Sequence, residues 1–252
     1  MRLLGNGLIP QIGGGAFSPS DVAGLVWWLD ASKSALFQDV GRATLATSDG
    51  DLVWSFSDLS SSSLHAAAPG SGNRPVLKTN QLNGKSILRF DGTDDRLLTT
   101  GVATTRTDNF ALFCVSKAGS TQANRSEVYI GEGNDGYGIM QSTISVKKGA
   151  LLGNIGYIES ATAAEATSYN VNLLRRSSGT ARIYGNGALL AESTSSPIAP
   201  TVRMAIGDLY AGTYPTSCDI AEIVLFQDLS IFDANRIGAY LAAKWGLSWS
   251  SI

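Results

Sequence analysis

Short segments that alternate apolar and polar residues, or that stay apolar for a strand's length, follow one another along most of the chain. They read LVWWLD, LVWSF, SILRFD, FALFCVS, EVYIG, YGIMQ, ISVKK, YNVNLLRR, ARIYGN, ALLAES, VRMAIGD and IAEIVLF. Period-two patterning predicts half-buried strands, and turn residues separate nearly every pair. No helix of crossover length intervenes between them, which predicts antiparallel pairing. Stacking two such sheets buries the half-apolar strands most economically, so the pattern predicts an all-β sandwich.

Three local patterns sharpen this. Asn186 and Gly187 between two apolar runs predict a type I′ hairpin, with Ile183 and Leu189 or Leu190 as candidates for the core face. Trp27 and Trp28 are adjacent in one strand and must point to opposite faces, one into the core and the other under a terminal helix. That helix is predicted at about residues 231–245: Ser230 and Asp233 form a capping box, Ala234, Ile237, Leu241 and Trp245 recur at helical spacing, and Gly246 ends it. The helix's polar face lacks a basic cluster, which argues against a membrane-surface role.

Composition narrows the function classes. Among 252 residues, Lys plus Arg number 19 and Asp plus Glu 21, for a net charge of -2, so nothing attracts a phosphate backbone and no nucleic-acid partner is expected. No run reaches membrane-spanning length, and Gly5, Asn6 and Gly7 interrupt the apolar start before a signal peptide could form, so no membrane association is expected. Residues 1–18 read as a flexible arm and residues 19–252 as one domain; DLSSSSLHAAAPGSGNRP, residues 58–75, reads as a long surface loop. Cys114 and Cys218 lie in apolar runs and read as buried thiols, a disulfide between them being the alternative. With His65 the sole histidine, these groups are too few for a closed zinc site.

The order VAGLVWWLDAS, WSFSDLSSSSLHAAA, RPVLKTNQLNGKSILRFDGTDDRL, the GNG hairpin, and IAEIVLFQDLS running into YLAAKWGL resembles the LamG-like, concanavalin A-like jelly-roll domains. The resemblance covers nearly all of the chain after the arm and implies a two-sheet antiparallel jelly-roll sandwich closed by one C-terminal amphipathic helix. The Gly-rich start, FSPSD, LFQD and RPVL segments are similar to those of phage virion-associated proteins. The chain departs from the family at Ser60–Ser63, where relatives carry a Gly-Asn-Gly type of turn.

Candidate chemistry is sparse. FDGTDD reads as a strand end and tight turn, its carboxylates satisfying turn amides; Asp91, Asp94 and Asp95 are also the chain's candidate metal ligands, for calcium, which needs 6 to 8 oxygens. Glycosidase chemistry needs paired carboxylates facing one cleft. Glu127 with Glu132, and Asp219 with Glu222, have odd spacings that place the members of each pair on opposite faces of a regular strand, so no catalytic residue is assigned. His65 reads as a surface residue without positioned partners. Glycans bind on aromatic faces with a few polar groups, and GEGNDGYG with GDLYAGTYPTS offers Asp135, Tyr137, Tyr210 and Tyr214 in two rim loops.

The resemblance and the missing carboxylate pair together imply a non-enzymatic virion structural protein, a capsid decoration or tail appendage, located in the virion after assembly in the host cytoplasm. It is expected to dock on other virion proteins through its arm, to form a homo-oligomer, and to need no cofactor. A carbohydrate-binding adhesion module for host-surface glycans is the alternative, and a glycoside hydrolase a third.

Overall fold

The computed structural model describes residues 16–99, 109–119, 125–132, 135–141, 147–152, 156–161, 168–195, 203–209, 212 and 214–252. In chain order the strands begin with β1 (Leu25–Asp30), β2 (Leu36–Phe37), β3 (Ser55–Phe56), β4 (Ala66–Ala67), β5 (Val76–Leu82) and β6 (Lys85–Asp91). β7 (Leu97–Thr99), β8 (Phe110–Ala118), β9 (Arg125–Glu132), β10 (Asp135–Gln141), β11 (Lys148–Leu152) and β12 (Tyr157–Glu159) follow. Next come β13 (Asn170–Ser177), β14 (Thr180–Gly185), β15 (Ala188–Thr194), β16 (Met204–Ile206) and β17 (Ser217–Gln227), and the helix α1 (Ile231–Trp245) closes the chain.

The strands form two antiparallel sheets. One has eight strands in the order β15-β14-β13-β8-β17-β6-β5, with β1 also on β17; the other has nine, β12-β11-β10-β9-β16-β7-β4-β3-β2. β17 is long enough to pair with β6 along Ser217–Ile220 and then with β1 from Glu222 onward. The sandwich predicted from period-two patterning is therefore the fold. Its interior holds Trp27, Leu29, Phe56, Phe90, Leu112, Ile139, Leu174 and Ile223.

A second apolar layer lies outside the eight-stranded sheet. There Phe113, Val115, Leu173 and Phe226 meet Ile237, Leu241 and Trp245 of α1, and each such buried side chain contributes roughly 1.5–3 kcal/mol. Trp27 faces the interior and Trp28 the helix, as adjacent strand positions must. Ser230 Oγ accepts the Asp233 N–H at 3.0 Å, and Gly246 takes φ 68, the left-handed value that ends a helix. Among the described residues, no helix is long and apolar enough to cross a membrane.

The hairpin also forms as predicted, with Asn186 at φ 51 and Gly187 at φ 86. A bulge between Ile183 and Tyr184 sets the register: Leu190 packs on the core and Leu189 stays exposed. A Cβ at Gly187 would lie 1.8 Å from the Ser250 carbonyl oxygen, so the C-terminal tail seats directly on this turn. Residues 144–146 of the ISVKK run lie outside the described residues, and the strand found there is Lys148–Leu152.

Of the arm, residues 1–15 lie outside the described residues. Phe17 is already anchored, its ring edge-on to Tyr240 at 5.9 Å and under the Arg236 guanidinium at 4.3 Å. Asp58 organises the Ser-rich loop: its carboxylate accepts the backbone N–H of Trp28, Ser60 and Leu64. Cys114 and Cys218 are buried free thiols.

Candidate functional site

The turn after β6 is built from its own carboxylates. Asp91 Oδ1 accepts the Thr93 N–H at 2.7 Å, and Asp95 Oδ2 accepts the Asp91 N–H at 2.9 Å. Gly92 has φ 81 and its Cα lies so close to Ser217 that a Cβ would come within 2.8 Å of that backbone nitrogen. Asn73 Nδ2 donates to the Asp94 carbonyl at 2.8 Å and holds the turn from outside. Asp91, Asp94 and Asp95 each offer one oxygen within 4.8 Å of the others. Asp91 and Asp94 are exposed, but Asp95 is 6% exposed. Burial, and then the charges of Asp91 and Asp94, push the Asp95 carboxyl up to about 7. The cluster suits a hard cation in ligand type, and its three carboxylates fall short of the 6 to 8 oxygens that calcium takes.

The segment between β16 and β17 packs beside this turn. Asp208, fully buried, accepts the N–H groups of Gly212 and Tyr214. Arg96 Nη1 approaches Asp208 Oδ2 at 3.6 Å, so one guanidinium links the carboxylate turn to the Tyr214 segment. Tyr214 packs with Tyr129, Leu151, Ala205 and Leu209 on the outer face of the nine-stranded sheet. Direct pairing across that face runs Tyr157, Leu151, Gly138, Tyr129, Ala205, Leu98. A Cβ at Gly136 would meet Tyr129 Cζ at 2.3 Å, so the tyrosine ring lies against the sheet where glycines leave room. Tyr157 is 43% exposed. Burial, and then the Tyr214 phenol, push its hydroxyl pKa up.

The predicted glycan residues fare differently. Tyr214 is half-buried at this rim. Tyr210 lies outside the described residues, as does the side chain of Asp135, whose backbone begins β10. Tyr137 corrects the sequence reading: it lies within β10 and not in a loop, 2% exposed in the interior, with its ring 4.8 Å from that of Phe110. Gly136 and Gly138 lie in β10 and mark close packing against the Tyr129 ring. Tyr157 was missed, although the alternation of GYIES could have shown it as one face of a strand.

Three acidic residues prove to be structural anchors. A bulge between Ile220 and Glu222 puts Asp219 and Glu222 on the same, outer face of the eight-stranded sheet, where simple alternation predicts opposite faces. Asp219 is held by Arg89 at 2.7 and 2.9 Å and by the Tyr169 hydroxyl at 2.7 Å; burial would raise its pKa, but Arg89 and Tyr169 hold it below the usual range. Glu222 receives Trp28 Nε1 at 2.7 Å, Trp245 Nε1 at 2.6 Å and Lys244 Nζ at 2.6 Å, and Lys244 also binds Asp30. Glu127 is fully buried, paired with Lys148 and Ser116 in the interior. His65 is half-buried and not a plain surface residue, its Nδ1 accepting the Asp58 N–H at 3.0 Å.

No protein-family model and no curated protein matches the chain by sequence. Solved structures do match in fold. A Trypanosoma rangeli sialidase in complex with a difluoro-nononic acid aligns with TM-score 0.61 and 15% identity over 94% of this chain and 36% of its own. An arabinofuranosidase complexed with arabinofuranosyl-alpha-1,2-xylobiose aligns at 0.59 and 11% over 77% and 51%. The receptor-binding domain of botulinum neurotoxin D aligns at 0.57 and 13% over 88% and 55%. The chain thus spans about a third to a little over half of these proteins. What it shares with them is a jelly-roll-like β-sandwich.

Proposed function

We propose that this domain is a non-catalytic, carbohydrate-binding attachment module of lectin-like architecture. The observation that carries the reading is the aromatic outer face of the nine-stranded sheet, where Tyr157 is 43% exposed on the edge strand and Tyr214 packs over Tyr129 beside Arg96 and Asp208. Half-exposed aromatic rings next to charged hydrogen-bonding groups are the chemistry that holds a sugar ring. The sandwich neighbours, two of them glycosidases in complex with saccharides or their analogues, are compatible with this use of the fold. Catalysis is not assigned, because the paired carboxylates a glycosidase needs are spent here on Arg89, Lys148 and Lys244.

A glycan array with the intact chain tests the proposal. Binding that is lost in Tyr157→Ala and Tyr214→Ala, with thermal unfolding within about 1 kcal/mol of the parent as expected for half-exposed side chains, supports it. No saccharide bound at millimolar concentration removes it.

The virion role implied by the resemblance stands as a second reading, without support from the neighbours. One observation favours it: the chain enters the fold at Phe17 on α1, beside Phe232, which is 66% exposed and shares the Arg236 guanidinium. Deleting residues 1–15 should then abolish incorporation into particles while leaving a folded domain; incorporation that survives the deletion sinks this reading.

A further inference from the structure

Between the two sheets lies a buried polar cluster that the proposed binding role does not use. Lys148 on β11 and Asn172 on β13 come from opposite sheets, 1% and 0% exposed; Lys148 reaches Glu127 directly and Asn172 reaches it through Ser116. A bulge in β9 opposite Ile139 and Met140 turns Glu127 inward beside Val128. Lys148 Nζ donates to Glu127 Oε1, and Ser116 Oγ donates to Glu127 Oε2. Asn172 Nδ2 in turn donates to Ser116 Oγ at 2.9 Å and to the Cys114 carbonyl at 3.3 Å. Its Oδ1 is buried without a hydrogen-bond partner among the described residues. A buried ion pair is a poor source of stability, and an orphaned buried carbonyl costs about 1–3 kcal/mol. Such a group calls for an explanation in chemistry or a ligand.

We propose that Lys148 and Asn172 join in an intramolecular isopeptide bond promoted by Glu127, covalently tying the two sheets together. The parts have the required roles: an amine, a carboxamide, and a carboxylate that touches the amine directly and the leaving nitrogen through Ser116. Lys148 Nζ gives one proton to Glu127 and, as a free amine, attacks Asn172 Cγ. The Nζ–Cγ bond forms and the Cγ–Nδ2 bond breaks. Of the three protons on Nζ, one stays on the new amide, one passes through Glu127 and Ser116 to Nδ2, which departs as ammonia, and one remains on Glu127. Neither oxidant nor cofactor is needed, and the burial of all three groups keeps bulk solvent from the carbonyl. Two buried charges are removed, and a buried amide replaces them.

Intact-mass spectrometry of the folded, aged chain is the test. The expected mass is that of the sequence, with or without Met1, less one ammonia, and a digest should yield a joined peptide carrying both Lys148 and Asn172. Lys148→Arg, Asn172→Ala and Glu127→Gln should each restore the full mass, and Ser116→Ala should slow the loss. Full mass in the parent protein overturns the proposal whatever the variants do. Loss of ammonia confined to a single peptide, as in a succinimide, overturns it too.

Discussion

Carboxylates crowd together in two places, and the molecule treats them in opposite ways. Under α1, Asp30 and Glu222 are fully buried and share the ammonium of Lys244, with two tryptophan N–H groups completing the Glu222 shell. In the turn after β6, the Asp91 and Asp95 carboxylates accept backbone N–H groups, and among the described residues no ion pair engages Asp91, Asp94 or Asp95. The first cluster brings its own cation from a distant part of the chain, and the helix comes with it. The second relies on solvent for two of its members and on keeping a proton for the third. Neutralised acids clamp a fold, whereas acids left without a cation report on their surroundings.

The sharpest way to break the contrast is to remove the internal cation. Lys244→Met leaves two carboxylates buried against each other, and breaking a buried pair in this way costs about 3–5 kcal/mol. Burial, and then the Asp30 charge, already push Glu222 above the ordinary glutamate range. Its raised pKa means that its contribution is complete below the unfolded value near 4.5 and is lost as pH rises through the folded value. The Lys244→Met defect should therefore shrink in acid and grow toward neutrality, measured by urea unfolding at pH 5 and pH 8. A variant within about 1 kcal/mol of the parent at both would show that the clamp is ornamental.

This clamp also marks the boundary of what the sequence made legible. Strands, hairpin and helix are local, and alternation, Asn186-Gly187 and Ser230 with Asp233 announced them. The meeting of Asp30, Glu222 and Lys244 is not local. Each falls within a stretch the family resemblance rests on, VWWLDAS, IAEIVLF and KWGL, but only the folded chain brings them together. Bulges defeated parity twice, placing Glu222 beside Asp219 and turning Glu127 into the interior. Tyr137 was misread for the opposite reason: Gly136 and Gly138 look like loop residues in sequence, whereas the fold needs them small so that the Tyr129 ring can lie on the sheet.

A smaller effect is expected at the turn. The unfolded Asp95 ionises near the ordinary aspartate value of 3.8, and the folded one is pushed up to about 7. Its stabilising contribution is thus complete below about pH 4 and is lost progressively as pH rises through 7. Asp95→Asn keeps an acceptor for the Asp91 N–H and removes the ionisation, so the variant should be more stable than the parent at pH 8 and indistinguishable at pH 4. Discounted for the water beside the turn, the gain is roughly 1–2 kcal/mol. A loss at pH 8 would mean that the Asp95 charge is needed, as it would be for a cation.

A cation bound at the turn would supply from outside what Lys244 supplies within. A ligand that binds only the folded state raises the unfolding midpoint in proportion to the logarithm of its excess over Kd. The turn presents three carboxylates, and two of them are already committed to backbone amides at Thr93 and Asp91. Full coordination would need several further oxygens that the Asp94 carbonyl, taken by Asn73, does not add. Millimolar calcium should accordingly leave the unfolding midpoint of the parent where chelator leaves it. A rise that disappears in Asp95→Asn would make the turn a cation site and would make the two clusters alike, one neutralised by a lysine and the other by an ion.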